Sequence, residues 1–407
     1  MLSFTAVVFW YVAFSYMIYR MIRKQTVPLS WSEILFAFGF KVLMGCLYGY
    51  IFLQYYQGSD TWTLHADSIK ETQLLMDDPH RFFWEFTIIG NGLLNNTGHS
   101  LDKLEYYLQT KTIGIINLIS QGNYYINVVF WNFLVFWGHY WLFMLLAKEF
   151  PSKRKIHFIL VFLFPPAVFW LSGIRSDGLL FLSITLLLFH FHRWLSSHRF
   201  SSFLLTVVGL TGTLVVRPSI AALLIPACLS WWISIRFSIR PVLAFLTTYV
   251  LAALVFFGST LLPSYNIPAV VVQKQHEFMK LKGSTLPLDT LEPGFKSFVT
   301  IFPQAAANTL LRPYPWEAKG VLQAMTVLEI LIFWIAVVHL LFNHHPDWKK
   351  ILLKPMLLAF VFFSLSLYFF IGYTVPFPGA IVRYKIIPEL LLLCTLLACS
   401  KKWTAFN

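Results

Sequence analysis

YYINVVFWNFLVFWGHYWLFMLLA (124–147), KEFPSKRK (148–155) and IHFILVFLFPPAVFWLS (156–172) run on from one another, two apolar stretches around a basic turn. The first stretch holds no charged side chain, and it exceeds the ~20 residues that a helix needs to cross a ~30 Å hydrocarbon layer. Lys148, Lys153, Arg154 and Lys155 crowd the turn. Loops rich in Lys and Arg stay on the cytoplasmic side of a membrane, so this turn lies inside and the far ends of both stretches lie outside.

The same alternation extends in both directions. Apolar segments fall at 2–19, 31–54, 124–147, 156–172, 178–195, 203–216, 219–235, 241–262, 321–342, 355–372 and 384–400. Basic clusters Arg20/Arg23/Lys24, Arg193/Arg199, Arg236/Arg240, Lys349/Lys350/Lys354 and Lys401/Lys402 fall at every second connection. With these inside, the spans begin outside and end inside. The expected fold is an all-α polytopic membrane protein of about 11 transmembrane helices, a single membrane-embedded domain over 1–407. Two long structured outer loops, 55–123 and 263–320, interrupt it. Arg217-Pro218 splits 203–235 into either two spans or one broken span, and the first segment reads as an anchor without a cleavage site.

Composition agrees. Of 407 residues, 57% are hydrophobic and only 12% charged, too few charges to cover a soluble surface. The net charge of +13 resides in the inner clusters, while basic and acidic residues nearly balance outside. That distribution serves insertion and anionic headgroups and excludes nucleic acid as a partner. Cys46, Cys228, Cys394 and Cys399 all sit in apolar stretches, as small buried side chains do. The chain has no phosphate-binding glycine loop, no His/Cys metal spacing and no nucleophile elbow. An activated substrate on the outer face, where nucleotides are scarce, has to arrive on a lipid.

The first outer loop has helical pieces, WTLHADSIKETQLLM and LDKLEYYLQTK, and an apolar run, FFWEFTIIGNGLL, that suits an interfacial or re-entrant helix. The second contains Pro263, Pro268, Pro287, Pro293, Pro303, Pro313 and Pro315, which rule out one long helix. Loops this long are uncommon unless they act as lids or binding elements.

The candidate chemistry clusters on the outer side. Asp60 opens the first loop, with His65 and Asp67 following; on a helix Asp60 and Asp67 share a face. A carboxylate there serves as general base or as an oxygen ligand to a divalent cation (Mg or Mn), with Asp60 and Asp67 the metal candidates. Its plain alternative is an N-cap. Arg175 and Asp177 lie in the turn FPPAVFWLSGIRSDG, as substrate-orienting charges or an internal ion pair. Arg217, Arg312, Arg383 and Lys385 suit a lipid phosphate or diphosphate, or else snorkel to headgroups. Trp62, Trp84, Tyr106, Tyr107, Tyr314 and Trp316 could stack on sugars or form an interfacial belt.

These pieces resemble the GT-C glycosyltransferase superfamily, polytopic enzymes that use polyprenyl-phosphate sugar donors. The likeness rests on Asp60 in GSDTWTLHAD at the start of a long first outer loop, on FPPAVFWLSGIRSDG, and on Arg383 in RYKIIP before the last span. It implies inversion at the anomeric carbon, with Asp60 as base and Asp67 or His65 assisting. Arg217, Arg312, Arg383 or Lys385 would hold the leaving phosphate, and Arg175 and Asp177 would orient donor or acceptor. It also implies a glycan or lipid-linked acceptor, membrane lipids as surroundings and a bacterial inner membrane with the active face extracytoplasmic. An oligosaccharide repeat-unit polymerase or ligase would use the same face, and a lipid-linked sugar flippase or transporter would place charges at mid-membrane, as Lys41 is placed.

Overall fold

All eleven apolar segments are helical, and ten of them are single helices. The computed structural model describes residues 2–85, 97–281, 286–318 and 320–401. In chain order the helices are α1 (Leu2–Ile22), α2 (Trp31–Tyr55), α3 (Ser59–Asp77), α4 (Thr97–Ser120), α5 (Tyr124–Glu149), α6 (Arg154–Leu163), α7 (Pro165–Trp170), α8 (Ser176–Ser197) and α9 (Phe200–Val216). They continue as α10 (Pro218–Arg236), α11 (Pro241–Gly258), α12 (Ile267–Met279), α13 (Phe295–Leu310), α14 (Val321–Phe342), α15 (Trp348–Leu352), α16 (Pro355–Thr374) and α17 (Pro378–Cys399). Among the described residues there is no strand, and 8 helices are long and apolar enough to cross a membrane. The protein is an all-α, multi-pass membrane protein.

Three of the eleven expected spans fall outside those eight, each for a physical reason. Segment 156–172 breaks at Phe164, because Pro165 and Pro166 cannot donate to the preceding turn and instead start α7. Helix α9 has only 17 residues. Helix α17 is long enough but carries Arg383, Lys385 and Glu389. The Arg217-Pro218 break separates α9 from α10, with Arg217 in an extended conformation. The four cysteines are free thiols.

The chain falls into two compact units, Met1–Ser219 and Ile220–Asn407, where the sequence reading drew no boundary. In the first, α5 is the axis: α1, α2, α4, α6 and α8 pack against it, and α9 packs on α8 and α4. Helix α5 is apolar on all sides, as a helix surrounded by others must be. Gly45 lets α2 approach it, since a Cβ there would lie 2.7 Å from both the Asn132 amide nitrogen and the Ser172 carbonyl oxygen.

The two ends of α2 carry different charges. At its start, the Ser30 hydroxyl accepts from the Glu33 amide while the Glu33 carboxylate accepts from the Ser30 amide, a capping box. Both Glu33 oxygens also accept from the Arg154 guanidinium, at 2.6 and 2.8 Å. At its far end lie Tyr48 and the loop that leads to Asp60. Between these, the buried Lys41 ammonium donates to the Leu171 carbonyl at 3.0 Å and the Ser172 hydroxyl at 3.2 Å. Lys41 therefore meets the C-terminal end of α7, where a cation is favoured by the helix dipole. That role is structural, and it places the turn after α7 beside the middle of α2.

The first long loop is a helical layer of α3, residues 79–85 and α4. Helix α3 packs on α4 and α2, and α4 on α5 and α9. The run 82–94, expected as an interfacial or re-entrant helix, lies largely outside the described residues. Lys111 clamps the layer: its ammonium, 2% exposed, is 2.7 Å from Glu71 and 2.8 Å from Glu85 and sits over the Phe82 ring. Replacing Lys111 by Met leaves two partly buried carboxylates facing each other, so we expect a loss of about 3 kcal/mol. Thermal unfolding in detergent measures it, and a loss below about 1 kcal/mol would show that the clamp is incidental.

In the second unit α11, α12, α13 and α17 pack around α16, with α14 and α15 on α17. The prolines of 263–320 break that stretch into two α-helices, α12 and α13, and short 3-10 turns at Pro263–Tyr265 and Pro315–Glu317, with the chain over 286–292 outside any helix. Buried Gln275 ties that chain down: its amide donates to the carbonyls of Asp289 and Tyr373, and its oxygen accepts from the Leu291 amide at 2.8 Å. Tyr373 in turn donates to the Phe298 carbonyl at 2.7 Å.

Candidate functional site

Gly58 starts α3 in the left-handed region, at φ +86°, and a Cβ there would approach the Trp62 side chain at 2.9 Å. Because Gly58 is the cap and no side chain caps this helix, Asp60 is not an N-cap. It lies in the first turn, where the dipole favours its charge, and its side chain is free to turn elsewhere. It turns to Arg175: the guanidinium donates to the Asp60 carboxylate at 2.5 Å. The same guanidinium lies 3.9 Å from Asp177 and 3.5 Å from the Tyr48 hydroxyl.

Burial is graded along this set. The Asp60 side chain is 66% exposed, that of Arg175 10% and that of Asp177 6%. Proximity of Leu171 to Lys41 and of Arg175 to Tyr48 shows that the turn runs along α2 for about seven residues, or roughly 10 Å. The turn is thus covered by α2, and Arg175 and Asp177 lie buried at its end, beside the start of α3 where Asp60 is exposed. Arg217, at the end of α9, joins through the next residue, since its guanidinium donates to the Ser176 hydroxyl at 3.4 Å and to Glu105 at 3.1 Å. Asp60, Arg175, Asp177 and Arg217 therefore belong to one connected polar set at the end of α2 remote from Glu33 and Arg154.

Other expected participants lie elsewhere. Asp67 accepts from Lys70 at 2.7 Å and from the Tyr106 hydroxyl, and these two bonds hold its carboxyl below the usual range. Seven residues along α3 separate it from Asp60 by about 10 Å of rise. Direct metal–oxygen bonds of 2.0–2.6 Å cannot span that distance, so the two do not hold one cation. Among the described residues no group of three or more His, Cys, Asp and Glu is arranged for a metal.

His65 faces inward. Its Nδ1 is 3.3 Å from the Asn127 amide, and its ring meets Trp62 and Tyr124 edge-on. Asn127 donates to Asn117, which donates to Ser68 and Thr72, while the hydroxyls of Thr61 and Tyr124 pair at 2.8 Å. This network joins α3, α4 and α5, and it places the His65 ring among these helices, in contact with Asn127, Trp62 and Tyr124. Burial lowers the His65 pKa, partly offset by a hydrogen bond to the Gly122 backbone. As pH falls below the ordinary value near 6.5, the unfolded chain gains a proton that the folded chain resists. Stability is therefore present above that value and lost below it. Melting temperature should fall between roughly pH 7.5 and 5.5 and fall less in His65→Gln; an equal fall in both proteins would refute the assignment.

The remaining cations belong to the second unit and have local partners. Arg312 lies 3.5 Å from Glu317 and donates to Asn308 at 3.3 Å. Arg383 donates to the Tyr384 hydroxyl at 2.9 Å and lies over its ring. Lys385 is not a surface cation: it is 2% exposed, 3.6 Å from Glu389 and 3.9 Å from Glu329. Its ammonium is engaged by two buried carboxyl groups and not presented to a lipid phosphate. Of the aromatics, Trp62 is structural, stacked on Tyr124 with its indole donating to the Gly49 carbonyl. Trp84 and Trp316 are exposed, at 50% and 80%.

Sequence reasoning missed Tyr48, Glu105 and the acids Glu329 and Glu389. The last two had a legible signal, since an acid inside an apolar span is costly unless it has a role. No family model, no curated protein and no solved structure matches this chain.

Proposed function

We propose that this protein is a glycosyltransferase of the GT-C type, moving a sugar from a polyprenyl-phosphate donor to a glycan or lipid-linked acceptor at the extracytoplasmic face of a bacterial inner membrane. The observation that carries the reading is Asp60: an exposed carboxylate oriented by a buried guanidinium, at the end of α2 remote from the basic Arg154 turn. Asp60 takes the proton of the acceptor hydroxyl as its oxygen bonds to the anomeric carbon. The bond from that carbon to the phosphate oxygen breaks, and the phosphate leaves with the electron pair. Arg217, 31% exposed against 10% for Arg175, is the more accessible cation of the set to meet the developing charge. Arg175 and Asp177 hold Asp60 in place.

The test is incubation of the reconstituted protein with polyprenyl-phosphate sugars and an acceptor lipid, with Asp60→Asn alongside. No transfer from any donor of such a panel would remove the proposal. A second reading, transport of a lipid-linked sugar, is favoured by the buried charges of Lys385, Glu329 and Glu389 inside helices of the second unit. Movement of an intact lipid-linked sugar across proteoliposomes without covalent transfer would select it.

A further inference from the structure

Within the second unit, three charged side chains and a phenol meet inside apolar helices. Glu329 projects from the first half of α14, Lys385 and Glu389 lie one turn apart on α17, and Tyr368 faces them from α16. The side chains of Lys385, Glu329 and Glu389 are 2%, 2% and 1% exposed, and Tyr368 is 2% exposed as a residue. The Lys385 ammonium is 3.9 Å from Glu329 and 3.6 Å from Glu389, beyond hydrogen-bond length to either. Tyr368 donates to Glu389 at 3.5 Å. One oxygen of each carboxyl group, Oε1 in both, has no hydrogen-bond partner. The two carboxyl groups both lie within 4 Å of the same ammonium.

Charge counting makes this arrangement informative. Two carboxylates against one ammonium leave a net negative charge where hydrocarbon and apolar side chains supply no solvation. A buried uncompensated charge is avoided by taking up a proton instead. Two carboxylates gathered around one ammonium repel each other, and a proton taken up by either removes that repulsion. Among the described residues, the charged groups that act on Glu329 are Lys385 and Glu389, and those that act on Tyr368 are the two glutamates. A metal cation is the other way to restore neutrality, but the adjacent ammonium repels one.

We propose that Glu329 and Glu389 form a proton-binding site in the interior of the second unit, holding one proton between them while Lys385 balances the other carboxylate. Occupancy converts one carboxylate to the acid with no other bond made or broken. This inference stands apart from the sugar-transfer reading, because none of its residues belongs to the Asp60 set.

The experiment is infrared difference spectroscopy on the full-length protein in detergent at neutral pH, reading the carbonyl stretch of protonated carboxylic acids. The wild type should show such a band, shifted by deuterium exchange and by 13C-labelled glutamate. Glu329→Gln and Glu389→Gln should each lose it, because the remaining carboxylate then balances Lys385 and needs no proton. Lys385→Met should roughly double it, since both carboxyl groups then lie without a cation. The label shift requires no variant, so failure of a variant to fold leaves the test intact. Absence of the band in the wild type would overturn the proposal. So would its survival in both glutamine variants, which would mark acids elsewhere, or its loss on adding sodium at constant pH, which would make the occupant a metal ion.

Discussion

Asp60→Asn is expected to lower sugar transfer by about three orders of magnitude while leaving expression and melting temperature close to wild type. A positioned general base is worth ~10²–10⁴ in rate, and Asn cannot accept the proton. Its amide oxygen still accepts a hydrogen bond from Arg175. The carboxylate is 66% exposed, so the lost ionic contribution is on the order of 1 kcal/mol or less. The companion variant Asp67→Asn should change transfer by no more than about threefold, because Asp67 is engaged by Lys70 and Tyr106 about 10 Å further along α3. Initial rates with a radiolabelled donor distinguish the two. Full activity in Asp60→Asn, or equal losses in both variants, would dismiss Asp60 as the base.

Why the helices were legible and the site only partly so follows from what each depends on. Span length and basic turns are local properties, and α2, α5, α8 and α16 all lie within a few residues of the expected limits. The break in 156–172 was also written locally, in Pro165-Pro166, but the depth of the turn behind it was not. That depth comes from Lys41 reaching the end of α7 from a helix 130 residues earlier, a pairing no local pattern encodes. Lys41 braces the end of α7 against α2, a contact its mid-span position did not reveal. Asp60 stood out because an acid after an apolar run is conspicuous, whereas its partnership with Arg175 depends on how α2 and α8 pack. The partners of His65 and Asp67 were not legible because sharing a helix, or even a face, says nothing about which neighbour each side chain meets. The partners of Lys385 were missed for a related reason: it was counted with the outer-face cations, though Glu389 one turn away already offered it a buried partner.

Arg175→Met should show whether the buried guanidinium only stabilises the fold or also orients the base. Removing it takes away a cation facing Asp177, a carboxylate 6% exposed, and breaking a buried pair of this kind costs about 3–5 kcal/mol. Transfer should fall with it, but a drop in activity alone would not separate misfolding from misplacement of Asp60. The double variant Arg175→Met/Asp177→Asn does. Without the buried negative charge most of the stability should return, because an amide in that position needs hydrogen bonds but no counter-ion. Asp60 still lacks the donor that holds it at 2.5 Å, so kcat should remain reduced by about 10²-fold although the protein melts near wild type. Arg175→Lys should recover only part of the rate, since an ammonium cannot present the planar fork that reaches Asp60, Asp177 and Tyr48 together. If the double variant regains both stability and activity, Arg175 is a structural counter-ion and the orientation of Asp60 must come from its place in the first turn of α3.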